Sequence, residues 1–181
     1  MNYLFTSQRL GFRNWLPSDL KPFQIMNADP RVMEHFDRPL EPEETTEGVE
    51  RLKKHYEEHG FTYFAVDRLD NRNFIGFIGM KRQNYPISIA PCIDIGWRLR
   101  PEEWGNGFAT EGAKRCLEYA FNTLGEAIIV AVATHTNEKS MNVMRKAGMT
   151  ALESFYHPEF PKNHRLQPCR AFAVTKEQFS T

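Results

Sequence analysis

The sequence has no long apolar run, few cysteines and no surplus of either charge. Its longest unbroken apolar stretch is Ala127–Ala133, far short of the ~20 residues that cross a bilayer, so no membrane partner is expected. Cys92, Cys116 and Cys169 are odd in number, lie far apart and form no C-x-x-C pair. Neither a zinc ribbon nor a disulfide framework follows, no metal is expected, and a reducing, cytoplasmic compartment is the default. Lys and Arg number 23, as do Asp and Glu, so the formal net charge is zero. That balance argues against a nucleic-acid partner bound through phosphate neutralisation, but it allows a small anion held at one local site. The opening residues Met1–Arg9 lack a basic stretch followed by an apolar one, so no signal peptide is expected. No internal repeat and no Ser/Gly-rich linker interrupts the chain.

What is present is the composition of an ordinary globule: 181 residues, 41% hydrophobic and 25% charged, which fits one domain better than two. Period-two alternation predicts strands at Gln8–Trp15 and Ile93–Leu99, and apolar character predicts them at Phe61–Leu69, Phe74–Arg82, Ala127–Ala133, Thr150–Tyr156 and Arg170–Val174. Pro17-Ser18-Asp19 opens a short helix that Asp29-Pro30 breaks, and the charged segment Glu41–His59 reads as a helix ending before Gly60. Gly107–Leu124 carries an apolar face at helical spacing with Gly125 placed to end it, and a second amphipathic helix spans about Glu138–Ala147. The order β-α-α-β-β-β-α-β-α-β-β predicts an α/β sandwich of mixed sheet and helices.

The most informative stretch is Arg100-Pro-Glu-Glu-Trp104-Gly105-Asn106-Gly107-Phe108-Ala109-Thr110-Glu111, which leaves a strand and enters the long helix. Glycines permit close backbone approach, and the free N–H groups of a first helical turn bind phosphate or pyrophosphate. A tight strand-to-helix turn would need the same glycines, so both readings stand. A Walker A loop is excluded because Phe108-Ala109 follows Gly107 where Lys-Ser/Thr is required. A dinucleotide fingerprint fails at Thr110, which occupies the third glycine position.

Trp104-Gly105-Asn106-Gly107-Phe108-Ala109 resembles the Q/R-x-x-G-x-G/A acetyl-CoA loop of the GNAT N-acetyltransferase superfamily, with Trp104 in place of the opening Gln or Arg. The wider run from Asp94 to Glu111 is similar to the branch that holds ribosomal-protein N-terminal acetyltransferases. Asn137-Glu138-Lys139-Ser140, continued by Lys146, Gly148 and Met149, resembles that branch's second cofactor motif. Arg9-Leu10-x-x-Arg13, Ser18-Asp19 and Asp29-Pro30 resemble its opening. The resemblance implies a single acetyltransferase domain over 1–181, with a mixed, mostly antiparallel sheet of about seven strands and helices on both faces. It further implies an acetyl-CoA-dependent enzyme that acetylates a primary amine by direct attack on the thioester; a homodimer is kept open. The cofactor's pyrophosphate would lie against the backbone of Gly105, Asn106, Gly107, Phe108, Ala109 and Thr110. Its pantetheine arm would pair with Trp97, Arg98 and Leu99, with Asn137 as a polar contact and Lys146 near the nucleotide end.

An alkylamine of pKa about 10.4 must lose a proton before it attacks, whereas an α-amine of about 7.7–8.0 needs less help. Asp94 stands where the resembled family carries Glu or Asp and is the base candidate; an ion pair with Arg98 is the structural alternative. Met144 stands where many members carry a tyrosine acid, which leaves the Ser140 hydroxyl, either orienting the sulfur or bonding backbone in the first helical turn. This departure motivates a second reading, a non-catalytic acyl-CoA-binding module. Glu111 reads as a carboxylate stabilising its helix N-terminus. His55-Tyr-Glu-Glu-His59 fits H-x-x-E-H but reads as a solvated helix end. The acceptor wall is expected from Glu34–Glu41, Asn84–Ala90 and Tyr156–Pro168, with Phe36, Tyr85 and Tyr156 making it partly aromatic. His157, His164, Arg165 and Arg170 read as surface or acceptor-site lining.

Overall fold

All seven expected strands form and lie in one sheet. The computed structural model describes residues 2–179. Among them run β1 (Phe5–Thr6), β2 (Leu10–Arg13), β3 (Tyr63–Arg68), β4 (Phe74–Gln83), β5 (Cys92–Leu99), β6 (Ile128–Thr134), β7 (Thr150–Tyr156) and β8 (Pro168–Thr175). Their spatial order is β1-β2-β3-β4-β5-β6-β8-β7. Every neighbouring pair is antiparallel except β5 and β6. The helices are α1 (Leu20–Ala28), α2 (Pro42–His59), α3 (Phe108–Tyr119), α4 (Glu138–Lys146) and the short α5 (Lys176–Phe179).

The eighth strand is β1, which lies ahead of the expected Gln8–Trp15 element and pairs with it; that element itself shortens to β2. A turn closes where the Ser7 amide donates to the Leu10 carbonyl at 2.9 Å. Phe5 then stacks on Phe12 (4.6 Å between centroids) and on Tyr119 (4.5 Å). Two residues are too few to show a period. Beyond Tyr119 the third helix widens into a π turn, Ala120–Leu124, and stops at left-handed Gly125. The second helix opens with Pro42 in its first turn, and the Glu44 carboxylate accepts the Glu41 amide at 2.8 Å.

Period two assigns the two faces of the sheet. Phe64, Val66, Ile78 and Ile95 pack with Phe108, Leu117 and Met141, placing α3 and α4 on one face. Ala65 and Phe77 pack with Phe23, Val49 and Leu52, and α1 and α2 cover the other. Arg13 is buried beneath the second pair. It donates to Asp67 at 2.7 and 2.6 Å and to Asp19 at 2.6 and 2.9 Å, bolting β2 and β3 to the entrance of α1. The sequence's opening motif is therefore structural at Arg13 and Asp19.

His55 corrects the reading of a solvated helix end. It is buried, with Nδ1 at 2.8 Å from the Phe61 carbonyl and Nε2 accepting the Arg82 amide at 3.2 Å. Both ring nitrogens are committed to backbone, and burial pushes the imidazole's pKa down.

Candidate active site in the opening between two strands

Parallel strands need a long crossover, and α3 supplies it between β5 and β6. These strands are in register only at Asp94 and Val130, and beyond that point they part. The Arg100 amide donates to the Ile75 carbonyl, and Arg98 lies opposite Phe77. On that register the backbone groups of Arg98 turn to β4, while those of Trp97 face the opening. Across the gap, the His135 amide donates to Pro168; on the register with β8 the backbone of Val132 also faces the opening. The result is a cavity of about 670 Å³, lined by residues from both strands, the α1–α2 loop, the β5–α3 loop and α4.

The β5–α3 loop forms one end of the cavity. Gly105 and Gly107 hold φ of +78° and +80°, a region that residues with a Cβ avoid. Gly107 stands immediately before α3, so the first-turn amides of Phe108, Ala109 and Thr110 have no partner within the helix. Trp104 explains its departure from the expected Gln or Arg: its indole donates to the Leu99 carbonyl at 2.9 Å, and the Lys139 ammonium lies 5.1 Å from its ring centroid. The loop is braced from behind. Glu111 accepts from the Ser7 hydroxyl (2.7 Å), the Arg9 amide (2.8 Å) and the Arg9 guanidinium (2.7 Å), and Arg9 also holds the Asn106 carbonyl at 3.1 Å. Glu111 thus ties the N-terminal segment to the helix start, and these bonds keep its pKa low. Gly105, Gly107, Phe108, Ala109 and Thr110 line the cavity; Asn106 lies outside it, exposed and turned to Arg9.

At the other end sits Asp94. It is 4% exposed, and its Oδ2 accepts the Tyr63 hydroxyl at 2.6 Å, while Oδ1 is buried with no hydrogen-bond partner. The alternative ion pair with Arg98 is not formed. Burial pushes the carboxyl up to about 7; the Tyr63 hydroxyl, the field of the Val132 amide and Lys81 pull the other way. Tyr63, raised by burial and by the Asp94 charge, stays a protonated donor. Its ring stacks on Phe77 at 4.9 Å. A Cβ on Gly96 would lie 3.2 Å from the Tyr63 Cζ and hydroxyl, so glycine there lets the ring reach the carboxylate. Sequence reading missed Tyr63. The signal was the pair Gly79 and Gly96, which the register places in line with it across three strands.

Trp97, Leu99, Asn137, Ser140 and Lys146 all line the cavity, as does Met144, buried at its wall. Asn137 caps α4, its Oδ1 accepting the Ser140 amide at 3.1 Å. The Leu99 carbonyl is taken by Trp104. Arg98 lines the cavity with its side chain, against α1 and the α1–α2 loop.

The acceptor wall is narrower than expected. Arg31, Glu34, His35, Phe36 and Tyr85 line the cavity, but nothing from Tyr156–Pro168 does, and Tyr156 is 70% exposed. That late loop instead braces the first wall. Arg165 donates to the Glu34 and Phe36 carbonyls, both at 2.7 Å, and His164 stacks on Phe160 and approaches Asp37 at 3.4 Å. His157 packs against Phe155 and Phe160, and Arg170 is exposed on β8.

Comparison with known proteins accords with this geometry. Residues 9–150 match the family described as "Acetyltransferase (GNAT) domain". The uncharacterised N-acetyltransferase YnaD of Bacillus subtilis strain 168 is 27% identical over 175 residues, covering 97% of this chain and 98% of its own. Among solved structures, a GNAT-family acetyltransferase from Bacillus anthracis matches with a TM-score of 0.79 at 22% identity, over 95% of this chain and 98% of that one. A spermidine N-acetyltransferase from Vibrio cholerae, in complex with CoA and spermine, gives 0.75 at 23% identity over 95% and 98%.

Proposed function

The chain belongs to the GNAT acetyltransferase family, and from that premise we propose that it moves the acetyl group of acetyl-CoA to a primary amine within the β5–β6 opening. One observation carries the reading: a single cavity joins helix-start amides without a partner in the helix to a buried carboxylate, along a β5 edge that meets β6 only at Asp94. The amides of Gly105, Gly107, Phe108, Ala109 and Thr110 suit a pyrophosphate, and backbone donors bind a polyanion without a basic surface. Trp97 offers its backbone to the pantetheine arm; Leu99 offers its N–H alone, since its carbonyl is engaged. Asn137 retains its amide NH₂ for the same arm, because only its oxygen is used in capping. Lys146 faces the nucleotide end.

Asp94 is the proposed base. The amine nitrogen attacks the thioester carbonyl, its proton passes to the carboxylate directly or through water, and the C–S bond breaks with its electron pair on sulfur. Tyr63 holds Oδ2 and leaves Oδ1 for that proton. The departing thiolate, with a pKa near that of cysteine (about 8.5), needs little acid assistance. Met144 in the tyrosine position is compatible with that, and Ser140 orients the sulfur.

Resemblance to the ribosomal-protein N-terminal branch supports a peptide α-amine as acceptor, and the spermidine named for the Vibrio enzyme supplies the alternative. Release of CoA, read with a thiol reagent over a panel of amines, tests the proposal. Thiol release in step with N-acetylated product supports it, and release with no amine requirement refutes it.

A further inference from the structure

Acetyl transfer as described above gives the Arg98 side chain nothing to do, yet the fold holds it with care. Its Nη1 donates to Asn27 Oδ1 at 2.8 Å, and Asn27 is itself fixed by donating to Thr45 Oγ1 at 3.1 Å. The guanidinium carbon lies 4.1 Å from the Phe36 ring centroid and 5.5 Å from that of Phe77. Its Nε is buried without a hydrogen-bond partner. No carboxylate among the described residues pairs with it; burial lowers it only to about 10, so it stays charged at neutral pH. A cation that lines a cavity with unused donors and no counter-ion is a site for an anion.

The anion's owner follows from the faces of the sheet. The Arg98 side chain lies on the α1–α2 face, against Asn27 and Phe36. The glycine loop leads into α3, which covers the opposite face. Arg98 therefore looks toward the acceptor rather than the cofactor's phosphates. Phe77 and Tyr63, stacked at 4.9 Å, form an aromatic floor with Arg98 at one end and Asp94 at the other. Other charges at this end do not make it acidic. Arg31 pairs with Asp29, Glu103 pairs with Arg68 at 3.3 Å, and Glu34 is largely exposed, 3.8 Å from His35.

We infer that the acceptor is an amine that also carries a carboxylate, such as an amino acid or a short peptide with a free C-terminus, its amine at Asp94 and its carboxylate on Arg98. This rests on the acetyltransferase reading and narrows its substrate. A polyamine, cationic along its length, would meet a guanidinium at the end of the floor.

Matched acceptors test it with the unaltered protein: amino acids and dipeptides, the same compounds as carboxamides, and spermidine, each with acetyl-CoA and CoA release as readout. The expected result is a kcat/KM at least about tenfold higher for each carboxylate than for its carboxamide. Arg98→Gln should raise KM for the carboxylates by about tenfold more than KM for the carboxamides, and Arg98→Lys should restore part of it. Equal rates for acid and amide, or a preference for spermidine, would overturn this inference and leave the acetyltransferase reading standing. So would an Arg98→Gln variant that loses acetyl-CoA affinity without changing the acid-to-amide ratio, because the anion would then belong to the cofactor. Failure of every amine to be acetylated would overturn both.

Discussion

Replacing Asp94 with Asn should stabilise the protein in alkaline solution while removing its proposed base. In the folded state the carboxyl titrates near 7, against 3.8 for an ordinary aspartate, because burial opposes its charge. A raised pKa means that the folded protein holds the proton more tightly than the unfolded chain does. Stability tied to this group is thus full below about pH 4 and is lost as pH climbs to 7. At 1.36 kcal/mol per unit, a shift of about three units amounts to ~4 kcal/mol above pH 7. Between pH 5 and pH 8 the loss is ~2–3 kcal/mol. Asn is nearly isosteric, keeps an acceptor for the Tyr63 hydroxyl and does not titrate. The advantage of Asp94→Asn over the native protein should therefore grow by ~2–3 kcal/mol from pH 5 to pH 8, or about 5–10 °C in Tm. Urea or thermal unfolding of both proteins at pH 5, 6, 7 and 8 reads it directly, since other titrating groups cancel in the difference. A gap that stays flat with pH would refute the reasoning: the carboxylate would then be unstrained, and its fitness as a base near neutrality would lose its physical ground.

Tyr63→Phe deletes a hydrogen bond that favours the ionised carboxylate, so the acid limb of the kcat/KM profile should move up by about one unit; a profile merely scaled down would contradict a positioning role. Gly96→Ala should move that limb the same way, because the added Cβ crowds the Tyr63 ring at 3.2 Å. Gly107→Val should weaken acetyl-CoA binding at least about tenfold in a titration, since a β-branched residue cannot hold φ of +80° without strain; unchanged affinity would remove the loop from the site. Arg13→Met should cost ~3–5 kcal/mol in denaturant unfolding, because it strands Asp19 and Asp67 in the core; a neutral result would mean that the two carboxylates find other partners.

Much of the fold was legible because one periodicity governs each element. Ile93, Ile95 and Leu99 alternate and become a face of β5, and the apolar run Ala127–Ala133, most of which forms β6, is covered on both sides. β1 was not legible: at two residues it exists only because Phe5 finds Phe12 and Tyr119. The glycine loop could be read because helix-start chemistry is local to the chain. Tyr63 and Asp94 are separated by 31 residues, and only the register of β3, β4 and β5 brings them together. Arg98 shows the same limit. Its neighbours along the strand suggested an ion pair with Asp94, whereas the fold gives it Asn27, from a helix 71 residues earlier. The late loop is expected in the acceptor wall, but its place behind that wall depends on Arg165 reaching two backbone carbonyls of the α1–α2 loop, a contact no local pattern shows.

The claim on which the rest depends is that the opening between β5 and β6 takes acetyl-CoA and passes its acetyl group to an amine. The direct measurement follows thiol release and acceptor mass together, in the same reaction, after acetyl-CoA binding has been established by thermal shift. At a hundredfold excess over Kd the cofactor should stabilise the protein by about 2.7 kcal/mol, and each CoA released should be matched by one N-acetylated amine. Acetyl-CoA that stabilises the protein yet yields no acetylated product from any amine, or that does not bind at all, would contradict the account.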